Sequence, residues 1–527
     1  MRTRSWCRPH GRYLARVHRP TPADPVPSVE LGSATVRFLV PHDLGFVHTD
    51  AATGARDDVI ALAVWAFRAA DERVPDVPDA QVEVGGRAAD GDGSGLEPTL
   101  VLADAVLRDG AVHVGSGIAV ALADQQRRLD AANLRWPLLA VNDLAAQLTA
   151  YRERSARYRP EALAGLLVEL HARHRAVVNG GGSLRARVLG TDEAAETPLR
   201  RVRLDSLGAR VSAVGEQRVV EIFYAHADTA TVLVLRRSWD GDADGAALAR
   251  RRVAGTTVGA LAAGNLVTES AVRSASRAVR LSTSRVAQTT VTPSLGRWDA
   301  LPDALVVRDI TALAAELDAL PPRAVRPRVE AELARAVQVA DVLSVSYSPG
   351  QQRLDAVVVD AYGTRATVTA VHAAATPGRL DAVAAALGGR DGAIRYISGV
   401  VHRSEGGVMI DPLAFSLDGA LVLPDLSPAT AGHLGPDTAD IPGPLAAALS
   451  DSRALLANVA HHGLLHLSAT YPDRLRGAAR GLARVGLHRV AAAVECFAGT
   501  LGPDPSEAAV WAWVDACLRV EVALDLC

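Results

Sequence analysis

The sequence predicts a multidomain α+β protein with two antiparallel β units, helical regions and a C-terminal helical module. Alternating or β-branched apolar runs, bounded by turn-forming residues, fall within residues 184–255 and 341–425. Ala- and Leu-rich stretches with helical periodicity fill residues 98–178 and 446–527. A chain of 527 residues, 49% of them hydrophobic, is long enough to bury several cores.

The composition excludes several kinds of enzyme. All 56 residues in the combined lysine and arginine count are arginine, so the chain contains no lysine. Without lysine there is no P-loop, protein-kinase or Schiff-base chemistry. The abundance of arginine is typical of GC-rich coding, so the spacing of arginines is more informative than their number. We find no catalytic motif and expect no cofactor.

The cysteines and the hydropathy pattern predict a cytoplasmic protein. The four cysteines form no C-x-x-C pair, which argues against a disulfide framework and a cysteine zinc site. No apolar run reaches the roughly 18 residues needed to span a bilayer, so we expect no membrane partner. The first 22 residues hold six arginines and no acidic residue, which predicts a basic disordered tail.

The N-terminal region combines two short β-prone runs in residues 28–47, a polar loop and an apolar helix containing ALAVWAF. Over residues 29–70 this order resembles a SWIM-type zinc finger. The resemblance places the metal ligands near His48, Asp50 and Asp58, although the family's three cysteines are missing here. It implies a scaffold that binds DNA or protein partners, and these three residues are the candidates for a harder cation.

Breaks in composition and periodicity predict the domain organisation. Gly- and Asp-rich or Pro- and Gly-rich stretches mark the linkers. The predicted segments are a basic disordered tail at 1–27, a small degenerate finger-like module at 28–84, a linker at 85–97, a mainly helical region at 98–178, an antiparallel β unit at 184–255, a basic stretch with helices at 256–340, a second antiparallel β unit at 341–425, a linker at 426–445 and a helical module at 446–527.

A histidine cluster near the C-terminus is the second candidate metal site. His462 and His466 form an H-x-x-x-H pattern, which on a helix places both imidazoles on one face, as zinc requires. The general-base glutamate of H-E-x-x-H is absent, because position 463 is glycine. Surface or core histidines remain the simpler interpretation, with a metal-dependent hydrolase as an alternative.

The basic stretch at residues 264–297 is the main candidate binding site. Between Asn265 and Arg297 it has five arginines and one acidic residue, a local charge of +4 in a protein of formal charge −3. On a helical wheel Arg273, Arg277 and Arg280 form one ridge, and Arg285 lies a short distance beyond. Nearby arginines extend the basic character at Arg236, Arg237, Arg250, Arg251 and Arg252. A strand from about Val279 is an equally good interpretation, because Ser, Thr and Val dominate residues 279–292.

These observations predict a non-enzymatic binding protein. Its arginine ridge docks nucleic acid or an acidic protein surface by neutralising negative charge. The first alternative is a structural subunit that uses strand edges and C-terminal helices to bind a protein assembly partner. The second is the metal-dependent hydrolase based on the histidine cluster.

Overall fold

Two compact units make up the chain: one comprises Met1–Ala195, Pro321–Arg328 and Pro442–Asp525, and the other is mainly Glu196–Leu320 with Val329–Ile441. The multidomain α+β class is confirmed. None of the described helices is long and apolar enough to cross a membrane. The computed structural model describes residues 12–22, 25–31, 34–40, 43–51, 56–73, 77–85, 94–180, 185–281, 289–329, 331–390, 392–404, 407–418, 420–430, 443–502 and 506–526.

The N-terminal region is an antiparallel sheet, in the order β4-β3-β2-β1-β5, covered by one helix. Its elements are β1 (Arg12–His18), β2 (Ser28–Leu31), β3 (Ala34–Phe38), β4 (Val47–Thr49), α1 (Arg56–Arg73) and β5 (Asp79–Gly85), with a 3-10 helix at Leu44–Phe46. Strand β1 lies within the predicted disordered tail at residues 1–27, so that prediction is wrong for this part. Ala15 and Val17 are fully buried, and their burial stabilises the strand.

Helices follow in the region that contains residues 98–178. They are α2 (Glu97–His113), α3 (Ile118–Ala131), α4 (Arg135–Arg152), α5 (Pro160–Gly180) and the short α6 (Arg185–Leu189). Helix α6 occupies the start of the predicted first β unit, so the strand expected there is wrong. Its Ala186, Val188 and Leu189 are all buried, a helical spacing that alternation alone did not reveal.

The second unit begins with a closed barrel, here called the first barrel. Strands β6-β7-β8 form an antiparallel meander, β8 pairs in parallel with β12, and β12 and β6 both pair with β11. The strands therefore form a ring in the order first, second, third, fifth, fourth. The elements are β6 (Glu196–Val214), β7 (Gln217–His226), β8 (Thr231–Asp240), α7 (Gly245–Ala249), β9 (Arg252–Val253), β10 (Thr256–Thr257), α8 (Val258–Ala262), β11 (Gly264–Ser274), β12 (Ala278–Leu281) and β13 (Thr289–Pro293), with a 3-10 helix at Ala227–Thr229.

A connecting segment leads to the second barrel. It contains a 3-10 helix at Trp298–Ala300, β14 (Val306–Val307), α9 (Ile310–Asp318) and a 3-10 helix at Arg323–Val325. The barrel itself comprises β15 (Ala334–Gln338), β16 (Asp341–Ser348), β17 (Arg353–Val359), β18 (Arg365–Val371), α10 (Arg379–Leu387), β19 (Ile394–Ser404), β20 (Gly407–Leu417) and β21 (Ala420–Val422), followed by a 3-10 helix at Pro424–Leu426.

The two barrels have the same strand topology. In the second barrel β15 and β16 act together as the first strand, because β16 pairs with β17 and β15 pairs with β19. The third and fifth strands, β18 and β20, pair in parallel, as β8 and β12 do in the first barrel. In both barrels helices connect the third strand to the fourth. The sequence showed no repeat between these two regions.

The barrels pack directly against each other. An apolar cluster joins the outer face of β7 and β8 to β19 and β20, with Trp298 between them. Arg379 is 7% exposed and pairs with Asp411 at 2.6 Å and with the buried Asp425. Arg210 of the first barrel reaches the same Asp411 at 2.7 Å. Apolar burial and shared ion pairs together fix the contact.

The helical predictions for residues 256–340 are largely wrong. Residues 264–281 form strands β11 and β12, and the predicted Pro-started helix at 321–340 is a 3-10 turn followed by β15. Helix α9 lies where helix was expected. Ala334, Ala336 and Val337 are fully buried in the barrel, so tertiary packing overrides the intrinsic helix propensity of alanine.

Four helices close the chain, as the sequence indicated. They are α11 (Pro444–His462), α12 (Tyr471–Arg484), α13 (His488–Thr500) and α14 (Glu507–Leu526), with a 3-10 helix at Leu464–His466. Most of the predicted linker at 426–445 and of the linker at 85–97 lies outside the described residues.

Candidate functional site

The predicted arginine ridge lies on strands of the first barrel. Arg273 is near the end of β11 and is only 4% exposed, whereas Arg280 on β12 is exposed. Arg277 lies in the turn between these strands, and Arg285 is outside the described residues. The prediction that these arginines form a ridge on a helix is therefore wrong. Strands β12 and β13 agree with the strand interpretation from about Val279 at both ends of residues 279–292, and residues 282–288 lie outside the described residues.

A tight turn positions Arg277. Its φ of 62° is left-handed, its N–H donates to the carbonyl of Ser274 at 3.0 Å, and its own carbonyl accepts from Val234 N–H at 3.0 Å. The hydroxyl of Ser274 accepts from the N–H of Ala278 at 3.1 Å. The turn is thus hydrogen-bonded both internally and to β8, which holds the start of β12 beside that strand.

This pairing brings arginines of β8 and β12 together. Val279 pairs with Leu235, so Arg280 and Arg236 occupy neighbouring positions on adjacent strands. The pKa of Arg237 is lowered by burial and by the nearby charge of Arg280. We call Arg236, Arg237, Arg277 and Arg280 the arginine surface. Like charges held this close favour an anion between them.

Acidic residues compensate part of this charge. Arg280 pairs with Glu196, and Arg236 lies 3.7 Å from Glu221. Glu196 is 57% exposed, and ion pairs of this kind are weak because water screens both charges. Residues 196–293 contain fourteen arginines and nine acidic residues, a formal charge of +5. The first barrel therefore remains a basic domain in an acidic protein.

The second barrel has the opposite charge. Residues 331–444 contain seven arginines and twelve acidic residues, a formal charge of −5. On the outer face of β17 and β18, Arg353 pairs with Asp355 at 2.6 Å, and the same carboxylate accepts from Thr369 at 2.7 Å. This face presents an apolar side chain as well, since Val371 is 49% exposed. The neighbouring strand β16 exposes Leu343 and Val345 by 49% and 41%.

The N-terminal metal candidates do not come together as a described site. His48 is exposed on β4, Asp50 accepts a hydrogen bond from Thr35 N–H at 2.6 Å, and Asp58 is exposed in the first turn of α1. Among the residues that the structure describes, no group of three His, Cys, Asp or Glu side chains could hold a metal ion. Asp50 instead fixes the backbone of the sheet.

The C-terminal histidines are not arranged as predicted. Helix α11 ends at His462, and Gly463 with a φ of 92° starts a 3-10 turn that carries His466. The prediction that His462 and His466 lie on one face of a helix is therefore wrong. The imidazole of His466 stacks on that of His113, with 3.8 Å between ring centroids. Nδ1 of His461 lies 2.8 Å from the Tyr158 hydroxyl. These rings contact each other and hold helices together.

Sequence reasoning missed the network that joins the barrels. Arg210, Arg379, Asp411 and Asp425 are separated by up to 215 residues, and their types and spacing match no motif. A strand residue such as Arg210, between buried Ala209 and Val211, looks like an ordinary outward-facing arginine. Only the pairing of the two barrels identifies its partner.

The fold and site define a protein with a four-helix bundle, an OB-fold and a C-terminal helical region. Two family models match: the YehQ four-helical bundle domain at residues 93–190 and the YehQ C-terminal OB-fold domain at residues 331–444. The second match covers the second barrel. The first barrel has the same strand topology but lies outside both matches.

The chain is similar to the protein YehQ of Escherichia coli strain K12, with 26% identity over 418 residues. The alignment covers 73% of this chain and 66% of that relative, just under two thirds of its length. No solved structure matches the chain. These comparisons overturn the SWIM resemblance, because the families they identify are a helical bundle and an OB-fold. The strand–loop–helix order of residues 29–70 belongs instead to the five-stranded N-terminal sheet.

Proposed function

We propose that this chain is a non-enzymatic nucleic-acid-binding protein and that the arginine surface of the first barrel is its contact with phosphate. The observation that carries the proposal is the parallel pairing of Val279 with Leu235, which places Arg280 beside Arg236 on adjacent strands. Two cations at neighbouring strand positions repel each other, so an anion bound between them relieves an existing cost. Arg237, the next residue on β8, would provide the third phosphate contact.

The charge difference between the barrels supports this assignment. OB-fold strands and loops are frequent oligonucleotide-binding surfaces, and the comparison identifies the second barrel as an OB-fold. However, its formal charge of −5 repels phosphate, whereas the +5 of residues 196–293 attracts it. The equivalent of the OB-fold loop between the fourth and fifth strands is the Ser274–Ala278 turn, which carries Arg277 in the first barrel.

An acidic protein surface is the competing ligand for the same arginines. Nucleic acid is favoured because it presents one negative charge per roughly 1.7 Å of duplex, which suits arginines on adjacent strands about 5 Å apart. An acidic protein surface would have to place its carboxylates at the same spacing. The competition experiment below separates the two ligands.

The experiment measures binding of the full chain to a fluorescent DNA at 50 mM salt, with polyglutamate as competitor. Wild-type protein is expected to bind, and the variant Arg236→Gln/Arg237→Gln/Arg280→Gln is expected to lose most of the affinity. The matched control is Arg365→Gln, which neutralises an exposed arginine of the second barrel. Equal binding by the triple variant and the control would rule out this surface. Displacement of DNA by stoichiometric polyglutamate would favour the acidic partner.

A structural subunit of a protein assembly is the second candidate. Strand β16 ends its sheet path, pairs only with β17 among the described strands, and exposes Leu343 and Val345. An edge strand with exposed apolar side chains can accept a partner's extended segment. This function predicts an association that Val345→Lys abolishes and that the arginine substitutions leave unchanged. Sedimentation of the purified assembly measures both.

A further inference from the structure

The aromatic residues of the first barrel all pack in or against apolar clusters. Residues 196–293 contain three of them: Phe223, Tyr224 and Trp239. Phe223 and Tyr224 are 1% and 0% exposed, and the partly buried Trp239 packs against the barrel core. Proteins that bind single strands stack successive bases on exposed aromatic rings. The basic barrel has no such ring to offer.

The face that would carry a stacking platform is also covered. In OB-folds oligonucleotides bind across the second and third strands, which here are β7 and β8. Four of their outward residues are buried in an apolar cluster with Leu413 and Ala414 of the second barrel. The first-barrel residues in this contact are Leu207, Phe223, Ala225, Val232 and Val234.

The contact between the barrels is built for close approach. Gly208 on β6 has a φ of 109°, and a Cβ there would lie 2.6 Å from the carbonyl oxygen of Leu413. Trp298 fills the space between the barrels and donates its indole N–H to the carbonyl of Ser206 at 2.9 Å. A base could enter this face only if the barrels separated. Arg236 on β8 and Arg280 on β12 lie outside this contact and are exposed.

From this arrangement we infer that the chain binds double-stranded nucleic acid through its phosphate backbone, without stacking on bases. The inference rests on the proposed function and specifies its ligand. Guanidinium groups on adjacent strands can contact phosphates independently of base identity. Duplex DNA carries the higher charge density, so a site that relies on charge alone prefers it over a single strand.

The second barrel does not supply the missing stacking surface. Its strands β17 and β18 are uncovered, but only Tyr362, 77% exposed in the turn between them, is an exposed aromatic among its described residues. One ring on a domain of formal charge −5 cannot offset the repulsion of a phosphate backbone. Neither barrel therefore suits a protein that stacks the bases of single-stranded nucleic acid. In the first barrel the face of β7 and β8 is covered, and the second barrel carries negative charge.

The test compares a 25-base-pair duplex with a 25-nucleotide oligo-dT, using the full chain at 100 mM salt. We expect the duplex to bind at least about fivefold more tightly, with a salt slope near −2.7 for three phosphate contacts against about −2.1 for a single strand. Duplexes of unrelated sequence should bind equally. Equal or tighter binding of oligo-dT would overturn this inference and leave the proposed function intact. Absence of binding to both DNAs at 50 mM salt would overturn the proposed function and this inference with it.

A second variant checks that the arginine surface is the site measured. Arg237→Gln/Arg280→Gln should reduce duplex affinity and make the salt slope shallower by about 1.8. Trp239→Leu should leave the ratio of duplex to oligo-dT affinity unchanged, because this ring packs on the core. A selective loss of oligo-dT binding in Trp239→Leu would show that the tryptophan stacks on bases and would contradict the inference.

Discussion

Arg280 of β12 lies beside Arg236 of β8, and burial together with the charge of Arg280 lowers the pKa of the adjacent Arg237 guanidinium. The parallel pairing of Val279 with Leu235 enforces this proximity. Arg280 is compensated by Glu196, which is itself largely exposed. The described residues place no carboxylate within ion-pair distance of Arg237. We expect a phosphate bound at these arginines to offset the repulsion between their like charges.

Removing the acidic neighbour of Arg280 should strengthen binding. Glu196→Gln breaks the ion pair and leaves the guanidinium available to phosphate, so we expect duplex affinity to rise several-fold and the salt slope to steepen by up to about 0.9. Anisotropy titrations at several salt concentrations measure both. The control is Glu332→Gln, which removes one negative charge near the second barrel. An equal gain in the control would mean that only net charge matters.

The closeness of the two barrels predicts a large effect of one methyl group. Gly208→Ala adds a Cβ at a φ of 109° and only 2.6 Å from Leu413 O, so we expect a loss of about 2 kcal/mol or more from strain and overpacking. Gly255→Ala is the matched control, since its φ is 86° but its Cβ would meet open space. Urea unfolding should show the larger loss for Gly208→Ala. Equal losses would show that the barrels tolerate separation.

The buried ion pair between Arg379 and Asp425 gives a prediction about charge. Asp425 is 1% exposed, pairs with Arg379 and accepts from Val211 N–H at 2.8 Å. Asp425→Ala leaves a buried arginine with one fewer partner and should cost about 3–5 kcal/mol. Asp425→Asn keeps the acceptor for Val211 and should cost less. Urea unfolding measures both variants, and a loss below about 1 kcal/mol in Asp425→Ala would contradict the assigned role.

The histidine cluster predicts acid sensitivity. Burial, and then the charge of His462, lower the pKa of His461, whose ring also contacts Tyr151 and Tyr158. The unfolded chain therefore binds a proton at His461 more readily than the folded chain, so stability falls as the pH drops below about 6.5. His461→Gln removes this contribution. Thermal unfolding between pH 5 and 8 should show a smaller acid loss for the variant than for wild type, and identical profiles would exclude His461 as the cause.

Secondary-structure elements whose residues show a clear short-range periodicity were predicted from the sequence. Alternating apolar residues such as Val220 and Ile222 predicted β7, and helical periodicity predicted the helical region at 98–178 that contains α5. The arginine stretch was also located, but its secondary structure was not. The wheel that grouped Arg273 with Arg277 and Arg280 assumed 3.6 residues per turn, whereas pairing with β6 and β8 makes the local period two.

The features of the fold and site that were not predicted depend on pairing between residues far apart in the sequence. The parallel pairing of β12 with β8 joins residues more than 40 positions apart, and no local pattern encodes it. The same holds for Arg236, which lies beside Arg280 only because of that pairing. The topology shared by the two barrels is likewise a property of strand order, since their sequences showed no repeat.

The salt dependence of duplex binding tests the central claim most directly. With wild-type protein, log affinity against log salt should be linear with a slope near −2.7 for three phosphate contacts. In Arg237→Gln/Arg280→Gln the slope should fall in magnitude to about 0.9, because two contacts are lost. An unchanged slope in the double variant would contradict the account, since it would place the phosphate contacts elsewhere in the protein.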